Sequence, residues 1–506
     1  MSRTHGNALM SWLADHWIVV VLLAAYSGML VLHAWQGRRG THGVADYYVG
    51  GRTMGGVALG LSFFATYSST NSFVGFAGQS YRYGAPWLLL APIIVLFCIL
   101  AWALVAPRLR RFTEALGSLT IPDFFGFRFG STRARLLAAV IVIGSSFFYL
   151  TAVFKGVGTT LGAFLDVDYQ LAIWIFFLIV MAYTAVGGFI SVVKTDVVQG
   201  LVMLVAAVLL FRGTVNAAGG LGALAAVRAA PETQQLFTWD AAMPFAVLLG
   251  IIIAGTIKLI VEPRQLSRFY ALRDARAVRH GFWVATLSFL LVYSLIVPIG
   301  LYAHAILGAG ITDSDSIVPR LLTNPDIFHP AVSAFMLVAL VAAAMSSVDS
   351  VLLVMAATCH RDFVALVRPA TSERAAVRDT ALYVALFAFL TTLIALNPPG
   401  GIVALTSFSG SLYAACFLPA LMFGLYWRRG DGRAAVASML AGIVVLLAWK
   451  RLDSRTIHEV FPAMLASTVV YVAVAWRVPA VPAIAALFDS APAQDLDDRA
   501  VGVTRA

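Results

Sequence analysis

Four oxygen-bearing side chains crowd into one short stretch of an otherwise apolar run. In VAAAMSSVDS, residues 341–350, they are Ser346, Ser347, Asp349 and Ser350. The surrounding run, from about Ala331 to Cys359, reads as a membrane-spanning helix. Positions 346, 349 and 350 are spaced i, i+3 and i+4, so they share a face. Ala343 lies one turn before Ser347 and leaves room for a neighbouring backbone. Hydroxyls and a carboxylate are costly at mid-membrane depth unless something uses them. Oxygen ligands suit a small hard cation such as sodium, so this helix is expected to hold a coupling ion. The plainer reading is structural. Serines in membrane helices bond back to the carbonyl four residues earlier, or join helices together. Asp349 weighs against it, because an intramembrane carboxylate is a functional-site candidate by default.

Two lysines add to the chemistry. Lys155 lies well inside a span, in FFYLTAVFKGVGTT, among Phe147, Phe148, Tyr149 and Phe154. It reads either as an ion-pair partner of Asp349 or Asp196, or as an anchor for an anion, since an ammonium in a low-dielectric cavity strongly favours a carboxylate. Lys258, in IAGTIKLIVEP, lies near the end of its span. It reads as snorkelling to the interface, as pairing with Glu262 at i+4, or as a second group on the solute.

The elements that position these groups are helices in a bilayer. The chain has 506 residues, 60% hydrophobic and only 12% charged, with mean hydropathy +0.86. A soluble chain carries about twice that charge, and membrane β-barrels lack such long continuous apolar runs. The fold class is therefore an all-α polytopic membrane protein. Apolar runs fall at about 17–36, 56–82, 86–106, 136–165, 170–186, 190–211, 243–261 and 281–307, then the opening run, then 380–396, 401–427, 433–449 and 460–477. That is about thirteen spans. A segment between the third and fourth, SLTIPDFFGFRFG, reads as a short interfacial helix begun by Pro122. Arginine-rich loops follow the first, third, seventh, ninth and eleventh spans, one of them carrying Arg264 and Arg268. Acidic or weakly charged loops alternate with them, and the loop with Lys450, Arg451 and Arg455 is the exception. The positive-inside rule puts the N-terminus outside and the C-terminus, with a polar tail at 481–506, in the cytoplasm of a cell that carries the protein in its inner or plasma membrane. The net charge of +10 thus belongs to membrane topology and calls for no nucleic-acid partner. Cys98, Cys359 and Cys416 form no metal-type pair. No P-loop and no G-x-S-x-G elbow is present, so no enzyme is expected.

Two spans look broken. The span 56–82 is interrupted by Thr66, Ser68, Ser69, Thr70, Asn71 and Ser72, and the span 243–261 carries Gly250, Gly255 and Lys258 before Glu262-Pro263. Interrupted helices at corresponding places in two halves point to an inverted-repeat transporter with a midplane site.

Here the chain resembles the sodium:solute symporter family, over roughly residues 15–480. The resemblance rests on ADYYVGGRTMGG, TDVVQG, EPRQLSRFYALRD, AAAMSSVDS and SLYAACFLPALMFGLYWRRG, in the family's order. It implies the leucine-transporter type of inverted repeat, five helices plus five, with the first and sixth helices broken. The single transporter domain would occupy 1–480, with an accessory helix at 17–36, a first repeat at 56–211, a second at 243–427 and two further helices within 433–477. It implies a sodium site made by the carbonyls of Ala65, Ser68 and Ala343 and the hydroxyls of Ser346 and Ser347. A second cation or a proton would use Asp196, Asp349 and Ser350 together with Ser346, although Asp349 stands where a hydroxyl is expected. Lys155 and Lys258 would face the solute, and a lysine where sugar-transporting members place an aromatic gate favours a small carboxylate over a sugar.

The solute site would be completed by Tyr67, Ser69 and Asn71 from the first broken helix and Phe408 from the span 401–427. A few polar groups in an aromatic-lined pocket suit a small organic solute. The expected activity is sodium-coupled symport of such a solute, with Na+ and the solute as ligands, the bilayer as medium and no obligate protein partner. Proton-coupled symport on the same fold and a membrane sensor module are the alternatives.

Overall fold

A computed structural model describes residues 2–39, 43–240, 242–368, 372–452, 456–478 and 487–488. The tail expected at 481–506 lies outside the described residues except for Leu487 and Phe488, and so does Arg455. Among the described residues the chain is helical and forms no β-strand, only an isolated bridge between Met54 and Leu272. Among the described residues ten helices are long and apolar enough to cross a membrane, and Gly56–Tyr67, Tyr169–Met181 and Val460–Ala475 are shorter apolar helices. Apolar runs become helices here because a bilayer offers backbone groups no partner but each other.

In chain order the helices are α1 (Ser2–Arg39), α2 (Gly56–Tyr67), α3 (Ala77–Tyr83), α4 (Leu90–Leu100), α5 (Ala106–Leu116), α6 (Ile121–Phe129), α7 (Thr132–Leu165) and α8 (Tyr169–Ala217). Then come α9 (Phe245–Thr256), α10 (Lys258–Val261), α11 (Pro263–Ala271), α12 (Ala275–Ile296), α13 (Ile299–Leu307), α14 (Pro330–Thr358), α15 (Glu373–Ala395), α16 (Ile402–Tyr426), α17 (Gly432–Arg451) and α18 (Val460–Ala475). The expected helix around Pro122 is α6. Thr120 caps it by accepting from Asp123 N, and Pro122 stands in its first turn. The spans expected at 170–186 and 190–211 run together as α8, bent where Gly188 takes φ 60° and ψ −171°. That conformation is accessible only to glycine, and a Cβ there would also meet the Tyr47 ring at 2.6 Å.

Both expected breaks are present. The hydrogen-bond ladder of α2 ends with Ser68 N donating to Phe64 O at 2.9 Å, and Ser68 itself is extended. A π-helical turn, Asn71–Phe76, then leads into α3. The second break differs from expectation. After α10 the chain turns extended at Glu262, and Pro263 opens a new helix, α11. Proline biases the residue before it away from helix and suits a first turn, so both halves of that break follow from Glu262-Pro263. Arg264 and Arg268, expected in an arginine-rich loop, are instead buried on α11, each 1% exposed.

Close packing is built on small residues. Gly56 and Gly60 of α2 lie against Ala277 and Gly281 of α12: a Cβ on Gly56 would sit 2.0 Å from Ala277 O, and one on Gly281 would enter the Trp102 ring at 2.2 Å. Small residues at such four-residue spacing let two backbones approach within the membrane. Gly281→Leu is expected to cost about 1–3 kcal/mol by overpacking, seen as a lower midpoint of thermal unfolding in detergent. An unchanged midpoint would refute the tight α2–α12 seam.

Candidate functional site

The break in α2 leaves carbonyls in need of partners, and α14 supplies them. Ser346 Oγ lies 2.9 Å from both Ala65 O and Ala343 O. One hydroxyl proton can serve only one of those carbonyls at a time, so the trio keeps lone pairs to spare. Ser347 Oγ donates to Thr66 O at 2.8 Å. Three of the five expected sodium ligands thus meet within hydrogen-bond distance, and Ser347 lies on the next carbonyl. Ser68 caps α2, with its hydroxyl 3.1 Å from Tyr293 Oη.

The groups expected at a second cation site are arranged differently from expectation. The Arg268 guanidinium lies among them. Its Nη2 donates to Asp196 Oδ2 at 2.9 Å, to Thr66 Oγ1 at 2.6 Å and to Ser350 Oγ at 2.5 Å. Its Nε donates to Ser62 Oγ at 3.2 Å. Ser62 and Thr66 also donate to Asp196, at 2.5 and 3.1 Å. Asp196 and Ser350 therefore share a fixed guanidinium as their cation. Asp349 is elsewhere. It accepts from Tyr183 Oη at 2.6 Å and Thr184 Oγ1 at 2.7 Å, both on α8. It shares no hydrogen-bond partner with Asp196 or Ser350 among the described residues.

One turn earlier on α11, Arg264 Nη1 donates to Thr66 O at 2.7 Å, its Nε lies 2.9 Å from Glu262 Oε1, and its guanidinium stacks 3.8 Å from the centre of the Tyr149 ring. Glu262 is thereby committed to Arg264 and not to Lys258. Lys258 does not snorkel either, being 1% exposed. Its ammonium lies 4.8 Å from the Tyr149 ring centre and 5.9 Å from that of Tyr67, and no acid forms an ion pair with it among the described residues. Gly410 of α16 makes room for this helix, since a Cβ there would meet Ala254 O at 1.8 Å and Lys258 Cγ at 3.3 Å.

Of the α2 residues expected to face a solute, Tyr67 reaches across to the other broken helix and donates to Gly255 O at 2.7 Å. Ser69 Oγ accepts from Asn71 N at 3.1 Å, which serves the break itself. Asn71 Oδ1 accepts from Thr406 of α16 at 3.3 Å. One turn apart on α16, the buried hydroxyls of Ser407 and Ser411 have no hydrogen-bond partner among the described residues. Buried polar groups are ordinarily satisfied, so these two are groups that a solute could serve.

Two expected solute residues lie apart from Lys258. Lys155 pairs with neither Asp349 nor Asp196. Its Nζ lies 3.1 Å from Asp315 Oδ2 and 3.3 Å from Gly400 O. The same Asp315 oxygen accepts from Ile402 N at the start of α16, at 3.2 Å. Lys155, Asp315, Gln79, Arg82, Ser407 and Lys450 line a cavity of about 320 Å³ at the arginine-poor end. Phe408 points the other way round α16. It packs edge-on against Phe148, with centroids 4.8 Å apart, and under Lys450 at 4.7 Å, toward the C-terminal helices.

The arginine-rich end is stitched shut. Arg135 pairs with Asp123 at 3.0 Å and Asp362 at 2.7 Å, Arg361 pairs with Asp123 at 3.3 Å, and Thr120 donates to Asp362 at 2.8 Å. Arg264 and Arg268 escaped sequence reasoning as site residues. Their segment, EPRQLSRFYALRD, was conspicuous, but arginines beyond the end of an apolar run count as loop until tertiary partners are known.

Comparison with known proteins identifies the family and the fold. Residues 47–442 match the Sodium:solute symporter family. The sodium/pantothenate symporter of Haemophilus influenzae is 27% identical over 432 residues, covering 83% of this chain and 88% of that one. The osmoregulated proline transporter OpuE of Bacillus subtilis is 28% identical over 475 residues, covering 89% and 93%. Among solved structures, a Na+-coupled sialic acid symporter in a substrate-bound outward-open state superposes with TM-score 0.79 at 19% identity, covering 92% of this chain and 99% of that one. Inward-facing Mhp1 gives 0.55 at 16% identity, covering 86% and 94%. The fold is therefore the all-α, inverted-repeat architecture of leucine-transporter type, in a multi-pass protein of the cell membrane. Family match, fold and paired breaks agree: the chain belongs to the sodium:solute symporter family.

Proposed function

We propose that the protein couples inward sodium movement to uptake of a small carboxylate-bearing solute. One observation carries this reading. The break in α2 turns carbonyls toward the α14 hydroxyls on one side and presents the Tyr67 ring beside an ammonium without an acidic partner, Lys258, on the other. A buried cation lacking a counter-ion favours an anionic ligand. Pantothenate, proline and sialic acid, named for the relatives and the structural neighbour, each carry a carboxylate.

In this reading sodium sits between Ala65 O, Ser68 O, Ala343 O, Ser346 Oγ and Ser347 Oγ. It ties α2 to α14 and replaces the one-proton compromise at Ser346. The solute carboxylate meets Lys258, with Tyr67, Asn71 and Ser411 beside it. Lys155 acts earlier, at the mouth of the cavity beside Asp315. The arginine-rich end faces the cytoplasm, so the N-terminus is outside and the structure is closed inward, with the cavity beside Lys155 and Asp315 facing out. Arg268 serves as the resident cation for Asp196 and Ser350, which leaves one sodium per cycle. Each ligand raises the affinity of the other because both hold the same broken segment, and this linkage is reciprocal.

Uptake into proteoliposomes tests the coupling. Carboxylate uptake is expected under an inward sodium gradient and not when choline replaces sodium. Ser346→Ala/Ser347→Ala is expected to raise the sodium concentration for half-maximal uptake at least about tenfold, the equivalent of about 1.4 kcal/mol. Equal uptake in choline, or unaltered sodium dependence in the double variant, would sink the site.

Lys258→Met tests the solute class. A lost charge-assisted contact of about 1.5–3 kcal/mol predicts a roughly tenfold to hundredfold weaker stabilisation constant for carboxylates in a thermal-shift panel, with amide analogues unaffected. Equal losses for acid and amide would exclude a carboxylate contact.

One observation favours the proton-coupled reading: Asp349 is buried with two neutral hydroxyl donors, and no cation is hydrogen-bonded to it among the described residues. Asp349→Asn separates the cases. Sodium symport predicts that a pH gradient alone drives no uptake in wild type or variant. Uptake driven by pH in wild type and abolished in Asp349→Asn would transfer the coupling to protons.

A further inference from the structure

At the arginine-rich end, away from the ion and solute groups, a crevice of about 480 Å³ opens on the side of the bundle. It lies where the span Ala85–Leu116 ends and the span Ala275–Leu307 begins, which is the height of a membrane boundary. Its wall includes Leu104, Phe282 and Tyr426, and its rim holds Arg108, Arg110, Arg111 and Arg279. Leu104 is 38% and Tyr426 41% exposed, so the apolar wall is open to the bilayer.

The rim is strongly cationic. Arg108 donates to Leu425 O at 3.1 Å and stacks 3.9 Å from the Tyr426 ring centre. Arg110 donates to Leu272 O and Arg273 O at 2.9 and 2.6 Å. Arg111 donates to Leu487 O at 2.7 Å. The Leu425 carbonyl satisfies an N–H of Arg108 without cancelling its charge, and neither Arg108 nor Arg279 forms an ion pair among the described residues. Glu114 lies 3.6 Å from Arg110 with its carboxylate 58% exposed, and the described lining of the crevice holds no Asp or Glu. Arg279 is exposed.

We propose that this crevice binds an acidic phospholipid, with its phosphate against Arg279 and Arg108 and an acyl chain along Leu104 and Phe282. A free anion would not explain an apolar wall open to the bilayer, and a zwitterionic lipid would not explain the two arginines, Arg108 and Arg279, left without an ion pair among the described residues. Arginine suits a phosphate because its fork of donors matches two oxygens at once, and each basic residue near a membrane surface adds about 1 kcal/mol toward anionic lipid.

Native mass spectrometry of the full chain, released from nanodiscs holding equal amounts of phosphatidylglycerol and phosphatidylcholine with matched chains, tests this. The expected result is preferential retention of phosphatidylglycerol and none of added inorganic phosphate. Arg279→Gln is expected to cut that preference about fivefold, in line with the loss of one basic group. Leu104→Trp, which fills the apolar wall, should cut it without altering charge, and Arg378→Gln, an exposed arginine on the same face, should leave it unchanged. Equal retention of both lipids would overturn the proposal, as would a preference untouched by both crevice variants, or equal capture of free phosphate. If the preference appears only after deletion of residues 489–506, the acidic tail with Asp489, Asp495, Asp497 and Asp498 is the occupant and the lipid proposal fails for the whole chain.

Discussion

A single buried guanidinium holds the centre of this molecule together. Arg268 has to be neutralised and hydrogen-bonded, because a charge removed from water without partners is among the costliest things a fold can contain. Its partners come from three other elements: Ser62 and Thr66 on α2, Asp196 on α8 and Ser350 on α14. Satisfying one side chain therefore fixes the relative positions of four helices. The same constraint sets the geometry where α14 meets the break in α2. Thr66, held through its side chain by Arg268 and through its carbonyl by Arg264, is the residue next to Ala65, whose carbonyl faces Ser346.

The two ends of the bundle differ in kind. The arginine-rich end is crossed by ion pairs among α6, α7 and the π-helical segment Cys359–Val364 that follows α14, with Asp123 and Asp362 fully buried. The opposite end holds a polar cavity crossed by the Lys155–Asp315 pair, which ties α7 to the loop before α14 and to the start of α16. A transporter has to open one end while the other is sealed, and ion pairs between elements suit a seal, because breaking a buried pair is costly unless water reaches both charges. Lys155, at the mouth, is paired with an acid, and Lys258, deeper in the bundle, has no ion pair among the described residues.

The sequence by itself determined a great deal. Composition and apolar run length dictate a helical membrane protein, since lipid leaves the backbone no other solution. The polar run from Thr66 to Ser72 and the pair Glu262-Pro263 mark both breaks because hydroxyl side chains and proline act locally on the chain. The hydroxyls at 346 and 347 announced an oxygen-rich face for the same reason: their cost depends on depth in the membrane, and depth is read from the run around them. What only the tertiary structure decided is who partners whom. Arg264 and Arg268 looked like loop residues because the partners that bury them, Thr66 and Tyr149 for the first and Ser62, Thr66, Asp196 and Ser350 for the second, lie far away in sequence, and the charge on an arginine says nothing about where a carboxylate will be. Asp349 looked like a companion of Asp196, but the bend at Gly188 brings Tyr183 and Thr184 to it. Lys155 and Lys258 looked like two walls of one cavity, and Phe408 like part of it. The rotation of α7, α10 and α16 about their axes, which no local pattern encodes, puts them in different places.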